Sequence, residues 1–245
     1  MLERSSTRVA TIVASAILFG ACLCAQTPNT QPSKTPAPIK RTPDGKPDFS
    51  GVWSLQGGFN WVPPDKDLPP FQPGGEARWN TKHGPDDDPI GFKCVPPGIP
   101  REAFAPYPLQ FLMTPGLVTI LYEQQHFFRV IPTDGRDHPK DLMPTWMGHS
   151  VGKWEGDTLV VDTVGQLEQT WIDAAGHMHS DALHVIERYT LLDGATISWE
   201  VIIDDPKIFT KTFSVTRKMV LRPGWQLMEY ICEENNRESL KGKYQ

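Results

Sequence analysis

Beyond Cys24 the sequence has no apolar run long enough to cross a bilayer, so no helical transmembrane segment is predicted there. Cysteine is scarce: of the four, Cys22 and Cys24 fall within the first 25 residues, and only Cys94 and Cys232 follow them. Charge of one sign is nowhere concentrated, and with a formal net charge of -5 and no basic stripe, a nucleic-acid partner is not expected. No segment sustains a helical period, and no repeat recurs at fixed spacing, which argues against helical bundles and solenoids. Also missing are a P-loop, a dinucleotide fingerprint, an H-E-x-x-H helix and a predicted strand-to-helix nucleophile elbow. The common kinases, dehydrogenases, metalloproteases and hydrolases are thereby set aside, and no cofactor is implied.

What is present begins with Arg4 and Arg8 ahead of an apolar run ending at Cys24, the pattern of a secretory signal over 1–25 with a mature start at Gln26. An imperfect lipoprotein-type site, Phe19-Gly20-Ala21-Cys22, leaves a lipid anchor at Cys22 as the alternative. The expected location is therefore the periplasm or the outside of the cell. In such an oxidising compartment Cys94 and Cys232 are expected to pair, two separate buried thiols being the other reading.

Six prolines lie in 26–47, a composition too polar to offset chain entropy, and this stretch is expected to be a disordered tether. Residues 48–245 are read as a single domain. Twelve of the 24 prolines fall between Pro63 and Pro108, too dense for a ladder or a helix. Because Trp61, Phe71, Trp79 and Phe92 are too apolar for a free linker, 57–108 is read as a long ordered loop pinned by Cys94, with one short helix possible over 76–82.

From Leu109 onward, short β-runs alternate with turn signals. Four hairpins are predicted: 118–123 with 126–131, 151–154 with 158–164, 183–192 with 195–203 around Asp193-Gly194, and 214–221 with 225–232 around Pro223-Gly224. With 50–55 as a possible ninth strand, the expected fold is all-β, an antiparallel meander closing into a lipocalin-like barrel, and a two-sheet β-sandwich is the alternative. An eight-stranded barrel has room inside for one small ligand.

Gly51-Val52-Trp53 resembles the G-x-W that opens lipocalin-type barrels, where the resemblance implies a Trp plugging the barrel bottom under a late basic residue, here Arg217. The runs MGHSVGKWEGDTLVVDTVG (147–165) and HSDALHVIERY (179–189) resemble a broad group of uncharacterised exported bacterial proteins. That likeness implies export and a β-rich fold, and no activity.

Strand alternation then sorts the polar residues. In 183–191 the more apolar face contains Leu183, Val185, Tyr189 and Leu191, which takes Glu187 inward with them. Such a carboxylate is either paired, by Arg129 or Arg217, or held protonated as a general acid or base. In 158–164 the two faces nearly tie, so Asp162 is either an inward group or an outward turn cap. Glu123 and Arg129 are expected to pair across their hairpin. His149 is placed at a barrel mouth, His138 in an exposed turn, and His177, His179 and His184 form a trio from which a zinc site could be built, without a recognised metal signature. The chain is thus read as a binder of a small molecule, with Tyr122, Trp146, Tyr189 and Trp199 as walls and Arg188 as a further contact. The alternative is a cofactor-free lyase, isomerase or hydratase using His149, Asp162 and Glu187.

Overall fold

A computed structural model describes residues 37–57, 61–84, 87–91 and 93–232. The expected signal, Cys22 and the first part of the tether lie outside them. Nine strands form one antiparallel sheet: β1 (Gly51–Gln56), β2 (Leu109–Thr114), β3 (Leu117–Tyr122), β4 (Phe128–Pro132), β5 (His149–Glu155), β6 (Thr158–Val164), β7 (His184–Asp193), β8 (Thr196–Asp204) and β9 (Phe213–Leu221). The order around the sheet is β4-β3-β2-β1-β9-β8-β7-β6-β5. The chain therefore meanders around a nearly closed, lipocalin-like barrel, and β1 is zipped to β9 as Trp53 pairs with Leu221 and Gln56 with Lys218. Among the described residues no helix is long and apolar enough to cross a membrane.

The remaining gap is a seam between β4 and β5, the two strands joined by the long 133–148 connection. Side chains close what hydrogen-bond ladders do not. Gly152 of β5 lies close against the other edge: a Cβ there would fall 2.8 Å from Thr133 Cγ2 and 3.0 Å from Ile131 Cγ2. Only glycine allows that approach without displacing a neighbour.

Alternation fills the interior. Trp53, Phe111, Tyr189, Trp199 and Val201 are all at or below 1% exposure, and Trp199 packs against Phe104 in a tilted pair with ring centroids 4.5 Å apart. Phe104 belongs to a 3-10 turn, Arg101–Phe104, and its other face stacks on Trp61 at 4.4 Å, so the proline-rich segment is a plug over one barrel end. Helix α1 (Gly75–Trp79) buries Trp79 beside Phe209. Each large apolar side chain so buried contributes roughly 1.5–3 kcal/mol. The centre is thus packed with side chains, and Tyr122, Tyr189 and Trp199, expected as walls of a hollow, are part of the packing.

Three sequence expectations need correction. Residues 225–232 form no strand, because both edges of β9 are already occupied by β8 and β1; the ninth strand is instead β2, on the other flank of β1. The β3–β4 hairpin turns through 123–127 with Gln125 and His126 at left-handed φ and keeps the register of a 118–123 with 126–131 pairing, in which Glu123 does not stand opposite Arg129. Ile120 then faces Arg129, turning Arg129 inward and leaving Phe128 and Val130 exposed. Finally, 37–47 lies on the barrel instead of hanging free. Gly194 donates its N–H to the Ala37 carbonyl at 2.7 Å, with no room for a Cβ against Pro38, and Arg41 forks onto Asp157 at 2.9 and 2.7 Å.

Cys94 and Cys232 form a disulfide across a sequence separation of 138 residues. It fastens the strandless C-terminal stretch to the proline-rich segment.

Candidate functional site

Register places Val161 opposite Glu187 and Asp162 opposite Ile186, so the two candidate carboxylates point to opposite sides of the sheet. Glu187 is sealed inside at 0% exposure. Arg129 Nη2 donates to its Oε2 at 2.7 Å, to Thr163 Oγ1 at 2.9 Å and to Ser150 Oγ at 3.0 Å, while Nη1 reaches the Tyr122 hydroxyl at 3.2 Å. Tyr189 gives its hydroxyl proton to Glu187 Oε1 at 2.6 Å. One guanidinium therefore ties its own strand, β4, to four others, β5, β6 and β7 across the seam among them. Burial lowers the affinity of Arg129 for its proton, but Glu187, Tyr122 and Tyr189 together outweigh it and hold the pKa well above the ordinary value. Burial, and then the Glu187 charge, raise Tyr189 well above its ordinary value, keeping it a hydrogen-bond donor. The Glu123–Arg129 pair does not form; Glu123 Oε2 accepts instead from the Met228 N–H at 2.8 Å.

The other candidates sit on the outer surface of β5–β8. There Val151, Asp162, Ile186 and Ile202 make one cross-strand row, and Lys153, Val160, Arg188 and Glu200 the next. The 133–148 connection folds over them with Arg136, Asp137 and His138, enclosing a cleft of about 530 Å³. Its floor is aliphatic (Val151, Val160, Ile186, Ile202) and its rim ionisable. Arg188 is held by Glu155 at 2.9 Å. Trp146 is half-buried in the connection and takes no part in the cleft lining.

At the rim four groups form a chain. Asp162 Oδ1 lies 2.8 Å from His184 Nε2 and 3.2 Å from His138 Nε2, and His138 Nδ1 lies 2.8 Å from His149 Nδ1. A carboxylate oxygen only accepts, so His138 Nε2 carries the proton and, in the neutral ring, Nδ1 is bare. His149 must then donate through Nδ1, which leaves its own Nε2 as a free base. Among the described residues nothing hydrogen-bonds that nitrogen. The arrangement orients a basic imidazole as a carboxylate does in a hydrolase triad, with one ring interposed. His149 itself lines a small groove of about 130 Å³ at the β4/β5 seam, so the His138–His149 contact joins seam to cleft.

The electrostatics agree with these roles. Burial raises Asp162, but the hydrogen bonds and charges of His184 and His138 outweigh it and the pKa is lowered. The Asp162 hydrogen bond raises His184. Burial first, and then the repulsion a protonated His149 would meet from His138 and Arg136 as cations, lower the His149 pKa and favour its neutral form. The raised His184 contributes stability that is complete below its ordinary 6.5 and lost as pH climbs through its folded value. The depressed Asp162 contributes above its ordinary 3.8 and loses that contribution as pH falls. Asp162→Asn is therefore expected to lower the His184 pKa, as read from histidine ring NMR shifts across a pH titration. An unchanged His184 titration would break the chain at its centre.

Sequence reasoning missed the part His138 plays, since DGRDHP reads as a turn and its partners lie 11 and 24 residues away. The possible zinc trio is dispersed. His177 pairs with Asp173 at 2.7 Å, His179 contacts Thr170 Oγ1 and the Ser180 carbonyl at 2.7 Å each, and His184 is engaged by Asp162. Residues 148–152, GHSVG, do have the G-x-S-x-G spacing, but Ser150 lies near the start of strand β5, points inward to Thr163 and Arg129, and leads into no helix. It is a structural serine, not a nucleophile elbow.

Comparisons with protein-family models, with curated proteins and with solved structures returned no match to this chain.

Proposed function

We propose that this protein binds a small molecule in the cleft on the outer surface of β5–β8, under the 133–148 connection. The observation that carries the reading is the pairing of an aliphatic floor with an ionisable rim in about 530 Å³, the size range of small-ligand sites. A ligand with a flat apolar body would lie on Val160, Ile186 and Ile202, and a polar end would meet Asp162, His138 and Arg188. The packed interior supports an outside site over one in the barrel. A thermal-shift screen of small metabolites tests this. Ligands that raise Tm are expected to lose their effect in Ile186→Arg, which places a charge on the cleft floor; equal stabilisation of both proteins would refute the site.

A second reading is proton transfer, favoured by the unpartnered His149 Nε2 at the end of the Asp162–His138 relay. On this reading a bound ligand exchanges an acidic C–H for deuterium in D₂O with the native protein and not with His149→Phe. Glu187 has no place in it, being walled off inside the barrel. Export, as a periplasmic or secreted protein, is supported by the Cys94–Cys232 disulfide together with the signal-like start, which also match the likeness to exported bacterial proteins.

A further inference from the structure

The lining of the β5–β8 cleft has charges of both signs, and the two signs are met unequally. Each of its permanent cations is already taken by a carboxylate: Arg136 by Asp134 at 2.6 Å, Lys153 by Glu155 at 3.0 Å and Arg188 by the same Glu155 at 2.9 Å. Arg188 has a second carboxylate, Glu200, 3.9 Å from its Nε, so Glu155 does not offset two cations alone.

The acids are not matched in this way. Asp137 is exposed on the lining and has no ion-pair or hydrogen-bond partner among the described residues. Asp162 meets only imidazoles, both through Oδ1, and its Oδ2 is without a partner among the described residues. His184, the nearer of those rings, is shared with a further carboxylate, Asp204, at 4.0 Å. Among the lining residues and their ion-pair partners, three permanent cations therefore face six carboxylates, with only imidazoles to offset the surplus. Both unmatched acids are open to solvent, the Asp162 side chain at 39% exposure, so a ligand reaches them without displacing protein.

What the cleft leaves unmet is thus negative charge and acceptor capacity beside an aliphatic floor. Acceptor oxygens call for N–H donors, which a primary ammonium supplies. The lining contains no Phe, Tyr or Trp, so the cage of rings that holds a quaternary ammonium is missing from it. Resting on the cleft as the ligand site, we infer that its ligand is a primary amine with an apolar, ring-bearing tail. The ammonium donates to Asp162 Oδ2, and Asp137, next in the chain to the His138 that meets Asp162, adds a second negative charge. The tail lies on Val160, Ile186 and Ile202.

Isothermal titration of the full chain at neutral pH and constant ionic strength compares three molecules of one shape: 4-phenylbutylamine, 4-phenylbutanol and 4-phenylbutyrate. The amine is expected to bind saturably at one site and the alcohol about tenfold more weakly, the scale of one charge-assisted hydrogen bond, with the acid weaker again. Asp162→Asn and Asp137→Asn should each weaken the amine severalfold and leave the alcohol nearly unchanged, while Ile186→Arg should abolish binding of all three. If Asp162→Asn fails to fold, the exposed Asp137→Asn decides. Alcohol or acid binding as tightly as the amine, and lost in Ile186→Arg, would overturn the amine assignment and leave the cleft standing. Amine binding that Ile186→Arg does not change would overturn both. No saturable binding of the amine, or an amine affinity indifferent to the two Asp variants, would overturn the inference alone.

Discussion

Arg129→Met is expected to destabilise the protein by about 3–5 kcal/mol, the range found when one partner of a buried ion pair is removed. The reason lies in what is left behind. Glu187 is at 0% exposure, and among the described residues the Tyr189 hydroxyl is its only remaining side-chain hydrogen-bond partner without the guanidinium. The loss also reaches the seam, because the same Arg129 nitrogen that meets Glu187 holds Ser150 of β5 and Thr163 of β6. Adding Glu187→Leu to Arg129→Met should restore most of the stability, since a matched apolar replacement removes the stranded charge along with its partner. Denaturant midpoints of the two single variants and the double variant give the coupling directly. A double variant as unstable as the sum of its parts would show that the pair matters through packing alone.

The second large effect is expected from the disulfide. Replacing Cys94 and Cys232 by serine should cost about 5 kcal/mol in the chain-entropy model, because the closed loop spans a separation of 138 residues. Native structure makes the bond matter locally as well. Residues 225–232 have no ladder, and apart from the disulfide they are held by contacts such as the Met228 N–H on Glu123 and the Tyr230 N–H on His126 Nε2. In the serine variant limited proteolysis should therefore cut within 225–232 well before global unfolding. Unfolding midpoints within 1 kcal/mol of each other, with no new cleavage, would assign the bond a minor role.

How far the sequence could be read depended on whether local information was enough. Strand β7 alternates cleanly from Val185 to Leu191, so its inward face, Glu187 included, followed from the pleat alone. In β6 the valines fall on both faces, and period two could not place Asp162; only its register against Ile186 on β7 does. The false fourth hairpin has the same origin: Pro223-Gly224 is a sound turn signal, but β9 pairs with β1, more than 160 residues earlier, and no local pattern announces that. Strand β2, bracketed by Pro108 and Pro115, was overlooked for lack of polar alternation. Arg129 was offered two partners by the sequence: the predicted hairpin register, with Val118 opposite Ile131, already sets it against Ile120 and not Glu123, and the inward partner Glu187 is the one it meets.

The candidate site divided along the same line. His149 and Asp162 were visible as ionisable residues at strand ends, yet what makes them a unit is His138, brought over the sheet by a connection whose composition says only that it turns. Glu187, Tyr122, Tyr189 and Trp199 were legible as inward residues and wrongly grouped with a cavity, because inward in a barrel of this size means packed when aromatic side chains of several strands converge.

Strand β8 offers the most direct discrimination between a ligand held outside the barrel and one held within it, since Ile202 faces the cleft while its neighbours Val201 and Ile203 are buried in the core. Methyl NMR of the isoleucines and valines, recorded while a ligand from the thermal-shift screen is titrated in, reads both sides of that strand at once. The expected result is movement of the Ile202, Ile186, Val160 and Val151 methyls with Val201, Ile203 and Ile197 unmoved. Perturbation centred on Val201, Ile203 and Ile197 instead would contradict the account and return the ligand to the barrel interior.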